Sequence, residues 1–197
     1  MAILGVDDFK AKLKGGGARS NLFKATVNFP GYAAGDVELT SFMCKAAQLP
    51  ASNIAPIEVP FRGRVLKVAG DRTFDTWTVT VINDENFLIR NAFEAWMQGI
   101  SKNSNNTGAT QPGEYMTNAL VHQLGRGADN GIESSSNSSI VNGSPITPLK
   151  TYTFFDIFPT NISAIDLSYD SSDTIEEYTV EFQVQYWEPG AWTRDQA

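Results

Sequence analysis

Residues 72–82 read RTFDTWTVTVI, a run that ends in strict alternation of apolar and threonine side chains. Trp77, Val79 and Val81 point to one face of an extended chain, and the intervening threonines point to the other. β-Branched residues dominate the run and favour a sheet. We therefore predict a strand over Arg72–Ile82 with one buried face.

The segment directly after this run predicts the one convincing helix of the chain. Its apolar residues recur at spacings of three and four, which forms a single stripe: Ile89, Ala92, Phe93, Trp96 and Ile100. Asn83 is the expected N-cap, Asp84 and Glu85 suit the positive end of the helix dipole, and Gly99 marks the exit. The stripe fits core packing better than a partner-binding face.

The last strand shows the same alternation as the first run. Its apolar members are Tyr178, Val180, Phe182, Val184 and Tyr186, and its polar members are Glu177, Thr179, Glu181, Gln183 and Gln185. Such a pattern predicts one buried face and one wet, acidic face.

The remaining pattern predicts several further strands. They are Asn21–Phe29, Val37–Ala46, Glu114–Leu124, Leu149–Phe158 and Ile162–Tyr169, with a turn at residues 159–161 and an irregular edge strand at Ile57–Val68, which the prolines interrupt. Seven or eight strands and one α-helix predict a mainly β fold, an antiparallel sandwich or barrel with the helix packed on it.

The composition predicts one central domain with less ordered additions. Residues 1–19 form an arm with a short frayed helix before the glycines at 15–17, and residues 20–188 form the β domain. A Gly-, Ser- and Asn-rich stretch at about 125–148 is expected to be a flexible insertion, and residues 189–197 an extension.

The overall composition excludes several classes of protein. Of the 197 residues, 42% are hydrophobic, too many for a disordered chain, and no apolar run approaches the ~18 residues of a membrane span. The single cysteine, Cys44, has no partner for an internal disulfide, and two acids interrupt the N-terminus before a signal-peptide core. We expect a reducing compartment and no membrane insertion.

Acidic residues concentrate in the second half of the chain. The first hundred residues carry 11 Lys+Arg against 10 Asp+Glu, whereas the rest carry 4 against 12. No Lys or Arg occurs in residues 151–193, which contain eight acids. Such a surface repels phosphate and argues against tight nucleic-acid binding, and a solvated acidic surface that aids solubility is the simpler explanation of the bias.

No residue pattern indicates catalysis. His122 is the only histidine and has no ligand set to join, and Cys44 fits a small buried hydrophobe better than a nucleophile. Glu176 and Glu177 are adjacent in a predicted strand and so point to opposite faces. We predict no enzymatic activity, no metal site and no cofactor.

Residues 68–85, VAGDRTFDTWTVTVINDE, closely resemble the tail tube protein family of contractile-tailed bacteriophages. In that family a strand with a Gly-Asp-Arg-Thr-Phe-Asp-x-Trp signature leads into a helix. Further matching pieces follow in order at residues 20–23, 44–51, 158–162 and 186–188, so the resemblance covers roughly residues 18–188. Within that range, residues 128–144 depart from the family pattern as an insertion.

The resemblance implies a structural protein of the virion tail. Six copies would form a ring, and rings would stack into a hollow tube that DNA crosses without specific binding. A sheath protein would surround the tube, and baseplate and tail terminator proteins would occupy its ends. Synthesis would take place in the cytoplasm of the host bacterium.

Two sets of residues are candidate sites under this implication. The lumen-facing set is Glu177, Thr179, Glu181, Gln183 and Gln185, the wet face of the last strand, unless that face is simply the outside. An acidic bore would keep DNA from adhering, because like charges repel. The set for contact between subunits is Arg19, Arg62, Arg64, Lys67, Asp71, Arg72 and Asp75, which extends from the arm through the proline-interrupted segment. For the last three residues, an internal salt bridge is an equal alternative.

Other functional classes stay open on the sequence. The tube of a type VI secretion or other contractile injection system would assemble by the same physical interactions, and the sequence separates it poorly from a phage tail tube. A monomeric ligand-binding β-sandwich would use Trp187 or Trp192 as a stacking platform. An enzyme comes last.

Overall fold

The computed structural model describes residues 5–13, 17–125, 139–141, 144–146, 148–170 and 172–190. The helices are α1 Val6–Lys12, α2 Val37–Met43, α3 Leu88–Ile100 and α4 Pro112–Tyr115. The strands are β1 Phe23–Val27, β2 Cys44–Ala47, β3 Ser52–Phe61, β4 Arg64–Phe74, β5 Trp77–Ile82, β6 Thr117–Leu124, β7 Ser139–Val141, β8 Ser144–Ile146, β9 Pro148–Ile162, β10 Glu177–Gln183 and β11 Tyr186–Pro189. The predicted mainly β class is confirmed.

The chain divides into two units by its internal contacts. The smaller unit comprises residues 1–24 and 122–151, and the larger comprises residues 25–121 and 152–197. The predicted C-terminal extension beyond residue 190 and most of the predicted insertion lie outside the described residues. None of the helices within the described part of the chain is long and apolar enough to cross a membrane.

The main sheet has seven strands in the order β1-β6-β9-β10-β5-β2, and β11 also pairs with β9. Strand β10 lies antiparallel to both β5 and β9, and β2 lies antiparallel to β5. Strands β3 and β4 form a separate two-stranded sheet, as do β7 and β8 in the smaller unit.

The core of the larger unit lies between α3 and the buried face of the sheet. Phe93 of the helix packs on Phe182 of β10 at 5.9 Å between ring centroids, and Trp77 stacks on Phe154 at 4.6 Å. The buried cluster consists of Ala25, Val27, Ala33, Trp77, Val79, Val81, Ile89, Phe93, Trp96, Ala119, Val121, Phe154, Ile157, Tyr178, Val180, Phe182 and Val184. The two alternating runs therefore bury the predicted faces.

The predicted strand Arg72–Ile82 has the wrong extent. Residues 72–74 end β4, and the chain breaks at Asp75 and Thr76 before β5 begins in the main sheet. The alternation over residues 77–82 is real, with Trp77, Val79 and Val81 all buried.

Helix α3 is confirmed with its apolar stripe, but its predicted ends are wrong. Phe87, not Asn83, is the N-cap, with a left-handed φ of 56°, and Asp84 accepts bonds from the amides of Leu88 and Ile89. Gly99 lies inside the helix, and a glycine is needed there because the ring of Tyr32 occupies the space that a side chain would fill.

The predicted strand Val37–Ala46 is wrong over most of its length, since α2 occupies Val37–Met43. Asp36 starts the helix, because its carboxylate accepts from the amides of Glu38 at 2.9 Å and Leu39 at 3.0 Å. The strand is confined to β2.

The predicted strand Glu114–Leu124 also starts later than expected. Residues 112–115 form the short helix α4, and strand pairing begins at Thr117.

The predicted turn at residues 159–161 is wrong, because β9 runs through it to Ile162 and pairs there with β10. The irregular point of β9 lies earlier, at Asp156, whose φ is 53° and whose amide donates to Asn118 Oδ1 at 3.2 Å. No regular strand follows over residues 163–169.

Candidate assembly interface

Strands β3 and β4 form a long hairpin where an irregular edge strand was predicted. A two-residue turn, Arg62-Gly63, joins them with φ values of 46° and 81°. Two consecutive positive φ values define the type I′ turn that suits a twisted hairpin, and glycine takes this conformation without steric cost. The prolines that suggested irregularity lie within β3, which is an edge strand.

The hairpin exposes an unusual amount of apolar surface. Seven large apolar side chains on it are 44–67% exposed: Ile54, Ile57, Val59, Phe61, Val65, Leu66 and Val68. In the cross-strand register Ile57 opposes Val68 and Val59 opposes Leu66. These four residues and Phe61 share one face, which we call the apolar ladder.

The other face of the hairpin carries charge. Glu58 and Lys67 oppose each other there, with 3.6 Å between Oε1 and Nζ. The hairpin is thus an amphipathic ribbon. Exposed apolar patches of this kind mark interaction sites in soluble proteins.

Hydrogen bonds tie the residues that lead into the hairpin to two buried or half-buried tryptophans, and a further contact closes the hairpin base. The indole of Trp77 donates to Gln48 O at 2.9 Å, and that of Trp187 donates to Ala51 O at 3.1 Å. Asn53 Nδ2 donates to the carboxylate of Asp75 at 2.9 Å. The base is therefore anchored by hydrogen bonds, whereas the large apolar side chains farther along the hairpin stay exposed.

The signature at residues 70–77 builds this base. A Cβ on Gly70 would lie 2.5 Å from Ala55 O, at the register shift between Ile54 and Pro56. Phe74 packs edge-on against Trp187 at 6.3 Å. Sequence reasoning missed Asn53, Ala51 and Trp187 in this role, although the resemblance included residues 44–51 and 186–188.

The predicted contact residues fall into separate places. Arg62, Arg64 and Lys67 lie at or near the hairpin tip, where the Arg62 guanidinium sits 5.3 Å from the centre of the Phe61 ring. Asp75 belongs to the base through Asn53.

The other predicted contact residues do not join the tip. No ion pair in the described part of the chain includes Asp71 or Arg72. Arg19 lies in the smaller unit, where its carbonyl accepts from Gln123.

The predicted lumen-facing residues share the sheet face opposite the core, apart from the last. Thr179 opposes Thr80 and Glu181 opposes Thr78, so this polar face extends across two strands. Gln183 ends β10, and Gln185 lies beyond it in the break before β11.

The polar face is less acidic than the sequence suggested. Lys45 Nζ pairs with Glu177 Oε1 at 2.5 Å. One of the two predicted lumen acids is therefore already neutralised within the chain.

Burial shifts the pKa of the two side chains that the sequence offered as catalytic candidates. Burial raises the pKa of the Cys44 thiol to about 11, which keeps it protonated. Burial, with Lys24 nearby, lowers the pKa of His122, whose Nδ1 lies 2.9 Å from Thr151 Oγ1. No cluster that could hold a metal ion occurs among the residues that the structure describes.

A second exposed surface is the loop at residues 163–176. Leu167, Tyr169 and Ile175 are largely exposed on it. They line an open groove together with Asp166 and Glu176. The groove therefore combines apolar and acidic character, whereas the hairpin combines apolar and basic character.

The comparisons with known proteins assign the family. The family model described as phage tail tube protein matches residues 9–189. The chain belongs to the phage tail tube protein family. It is 34% identical to tail tube protein gp19 of Enterobacteria phage T4, over 93% of this chain and 99% of that protein. It is 26% identical to the tail tube protein of Serratia phage KSP90, over 90% and 93% of the two chains.

Solved structures share the fold of this tail tube protein. The tube-terminating cap of the anti-feeding prophage matches with a TM-score of 0.59 and 14% identity, covering 89% of this chain and 92% of that one. A chain of the PVC extracellular contractile injection system, from its sheath-tube complex in the extended state, matches with a TM-score of 0.54 and 13% identity, over 93% and 97%. The predicted resemblance is confirmed, and the protein is a structural component of a phage tail.

Proposed function

We propose that this protein assembles as hexameric rings that stack into the inner tube of a contractile tail, through which DNA passes into the host. Family membership supports the tube. The bare hairpin carries the proposal for this chain, because seven exposed apolar side chains on one projecting element need a partner that the described residues do not provide.

The hairpin serves as the contact between copies in this proposal. Its apolar ladder loses water on contact, which drives association, and its basic tip selects an acidic partner surface. Arg62, Arg64 and Lys67 lie at that tip, with Asp71, Arg72 and Asp75 towards the base. Arg19 in the N-terminal arm is the remaining proposed contact.

The polar sheet face lines the lumen in this proposal. Helix α3 covers the opposite face of the sheet. On the polar face Glu177 is exposed, Thr179, Glu181 and Gln183 are half-buried, and Gln185 follows them. Threonine, glutamine and a few acids offer the phosphates of DNA no cationic binding site, so DNA passes without adhering to the wall. Lys45 limits the acidity at one end of this face.

The remaining partners follow from the place of a tube in a tail. A sheath protein surrounds it, baseplate and terminator proteins bind its ends, and the protein is made in the host cytoplasm before assembly. Its role is structural rather than enzymatic.

Electron microscopy and sizing chromatography of the purified protein over a range of concentrations test assembly. Hollow tubes or six-fold rings are the expected result. A protein that stays monomeric at high concentration and also in the presence of tail baseplates would overturn the proposal.

Charge reversal tests the lumen. Glu181→Lys places a cation on the polar face without breaking the Lys45 pair, and we expect intact tubes with slower DNA ejection. Glu188→Lys, on the exposed strand β11, is the matched control and should eject normally. Equal ejection rates for both variants would show that the polar face is not the lumen wall.

A further inference from the structure

The hairpin has two outer edges, and both are unpaired within the described residues. An unpaired edge presents amide and carbonyl groups that readily bond to another strand. Natural proteins often protect such edges with proline. The two edges of this hairpin differ in that protection.

The register shows which amides point outward. Opposed residues in an antiparallel pair alternate between pairs whose amides bond to each other and pairs whose amides point away. The two-residue turn closes on Phe61 and Arg64, which bond to each other, so the pairs that point outward are Pro60 with Val65, Glu58 with Lys67, and Pro56 with Ala69. The positions of Pro56 and Pro60 agree with this alternation, because proline has no backbone N–H and cannot donate to the partner strand.

The outer edge of β3 therefore offers few backbone N–H donors, whereas the outer edge of β4 offers several. Of the three outward positions on β3, two are proline and only Glu58 can donate. On β4 each of Val65, Lys67 and Ala69 carries an outward N–H. An incoming strand finds a full row of donors on β4 alone.

We propose that the outer edge of β4, residues 65–69, pairs with a strand of a second copy of this chain, and that the β3 edge takes no part. The inference rests on the proposed tube and adds the strand edge through which the hairpin binds. It identifies which side of the hairpin faces the neighbouring subunit.

Charge complementarity identifies the occupant as a second copy. On β4, Arg64, Lys67 and Arg72 outnumber the single acid Asp71, although Glu58 of β3 pairs with Lys67. The same chain carries eight acids and no Lys or Arg over residues 151–193. The exposed groove beside Asp166 and Glu176 belongs to that stretch. A head-to-tail contact between two copies therefore matches opposite charges while it covers the apolar ladder.

A matched pair of proline variants tests the edge. Lys67→Pro and Glu58→Pro replace residues that oppose each other, so both break the same ion pair and each removes one outward amide. Lys67→Pro should raise the concentration needed for tubes at least about tenfold, the loss of roughly one interchain hydrogen bond and its neighbours. Glu58→Pro should assemble as the parent does. Lys67→Ala and Glu58→Ala control for the lost charges.

Hydrogen exchange on the unmodified protein gives an independent test. The amides of Val65, Lys67 and Ala69 should exchange at least about tenfold more slowly in tubes than in monomers, and that of Glu58 should not change. Equal assembly of the two proline variants, or unprotected β4 amides in tubes, would contradict the proposed pairing at the β4 edge. Neither result would contradict the proposed tube. Failure of the unmodified protein to assemble even on baseplates would instead overturn the proposed function.

Discussion

Strands β4 and β5 are separated by two residues along the chain, yet their surroundings are opposite. In β5, Trp77, Val79 and Val81 are at most 2% exposed. In β4, Val65, Leu66 and Val68 are 46–61% exposed. Both strands are rich in β-branched and apolar residues, so composition alone does not distinguish them.

The difference shows that strand pattern and strand burial are separate properties. Strand β5 packs against helix α3 and pairs with strands β10 and β2 of its own chain. Among the described residues β4 pairs only with β3, and the apolar side chains on the face they share are 44–67% exposed. In the proposed tube, a second copy covers the face that the described residues leave bare.

The largest expected effect is the loss of the core anchor in β5. Trp77→Ala removes a ring stacked on Phe154 at 4.6 Å and leaves Gln48 O without its donor. Large-to-small core substitutions of this kind lower the free energy of unfolding by about 3–5 kcal/mol. Urea denaturation of the monomer measures the change.

The matched control for this variant is an aromatic residue of the hairpin. Phe61→Ala should change the free energy of unfolding by no more than about 0.5 kcal/mol, because the side chain is 67% exposed. If Phe61→Ala destabilised the monomer as much as Trp77→Ala, the proposed contrast between the strands would be wrong.

The next effect falls on assembly rather than on folding. The double variant Val59→Ser, Leu66→Ser removes an opposed pair from the apolar ladder and should weaken association by about 3 kcal/mol, roughly a hundredfold. Sedimentation velocity and electron microscopy measure the loss of tubes, and urea denaturation should show an unchanged monomer.

The control for the apolar ladder lies on the same strand but on the other face. Val65→Ser keeps the β4 backbone and alters the face that carries Glu58 and Lys67. It should assemble normally. A loss of tubes in Val65→Ser as deep as in the double variant would place the contact on the wrong face.

Much of the fold was predictable where the chain buries its own residues. Strand β5, helix α3 and strand β10 each complete an apolar face inside the larger unit, so their periodicity survives into the structure. Helix α2 was missed because its short alternating pattern resembles a strand, and the cap at Asp36 decides the outcome locally. The run of β9 through Pro159 was missed because proline suggests a turn until a neighbouring strand is known.

The candidate interface was predictable as a segment but not as a shape. Basic residues and prolines over 49–67 pointed to a contact between subunits, and that proposal stays untested. The hairpin itself depends on cross-strand register, which is a long-range property. The pairing of Lys45 with Glu177 likewise joins residues far apart in sequence, so the reduced acidity of the polar face needed the structure.

A smaller effect is expected at the junction between the two regions. Gly70→Ala would place a Cβ 2.5 Å from the backbone oxygen of Ala55, so the two strands must move apart at the register shift. Overpacking against backbone costs about 1–3 kcal/mol. In hydrogen-exchange measurements the amides at the hairpin base should exchange faster than in the parent protein, and the exchange rates of the β5 amides should not change.

Gly113 provides the control for this glycine. A side chain there meets nothing within 4 Å, and residue 113 lies in the short helix α4. Gly113→Ala should therefore leave the exchange of the hairpin unchanged. Equal loosening in both variants would mean that close packing at Gly70 does not hold the base.

The smallest expected effect is on the free energy of unfolding, and it comes from removing a tyrosine hydroxyl that either lacks or makes a hydrogen bond. The hydroxyl of Tyr178 is buried and has no hydrogen-bond partner among the described residues, and burial raises the pKa of the group. Tyr178→Phe keeps the ring beneath Arg90 and removes the unsatisfied hydroxyl, so the free energy of unfolding should rise by about 1 kcal/mol. Tyr32→Phe is the opposite case, because the Tyr32 hydroxyl donates to Trp96 O at 3.3 Å, and it should destabilise by about 0.5–1 kcal/mol. Both variants should assemble as the parent does, since neither touches the hairpin; a Tyr178→Phe protein that melts earlier would show that its hydroxyl is satisfied after all.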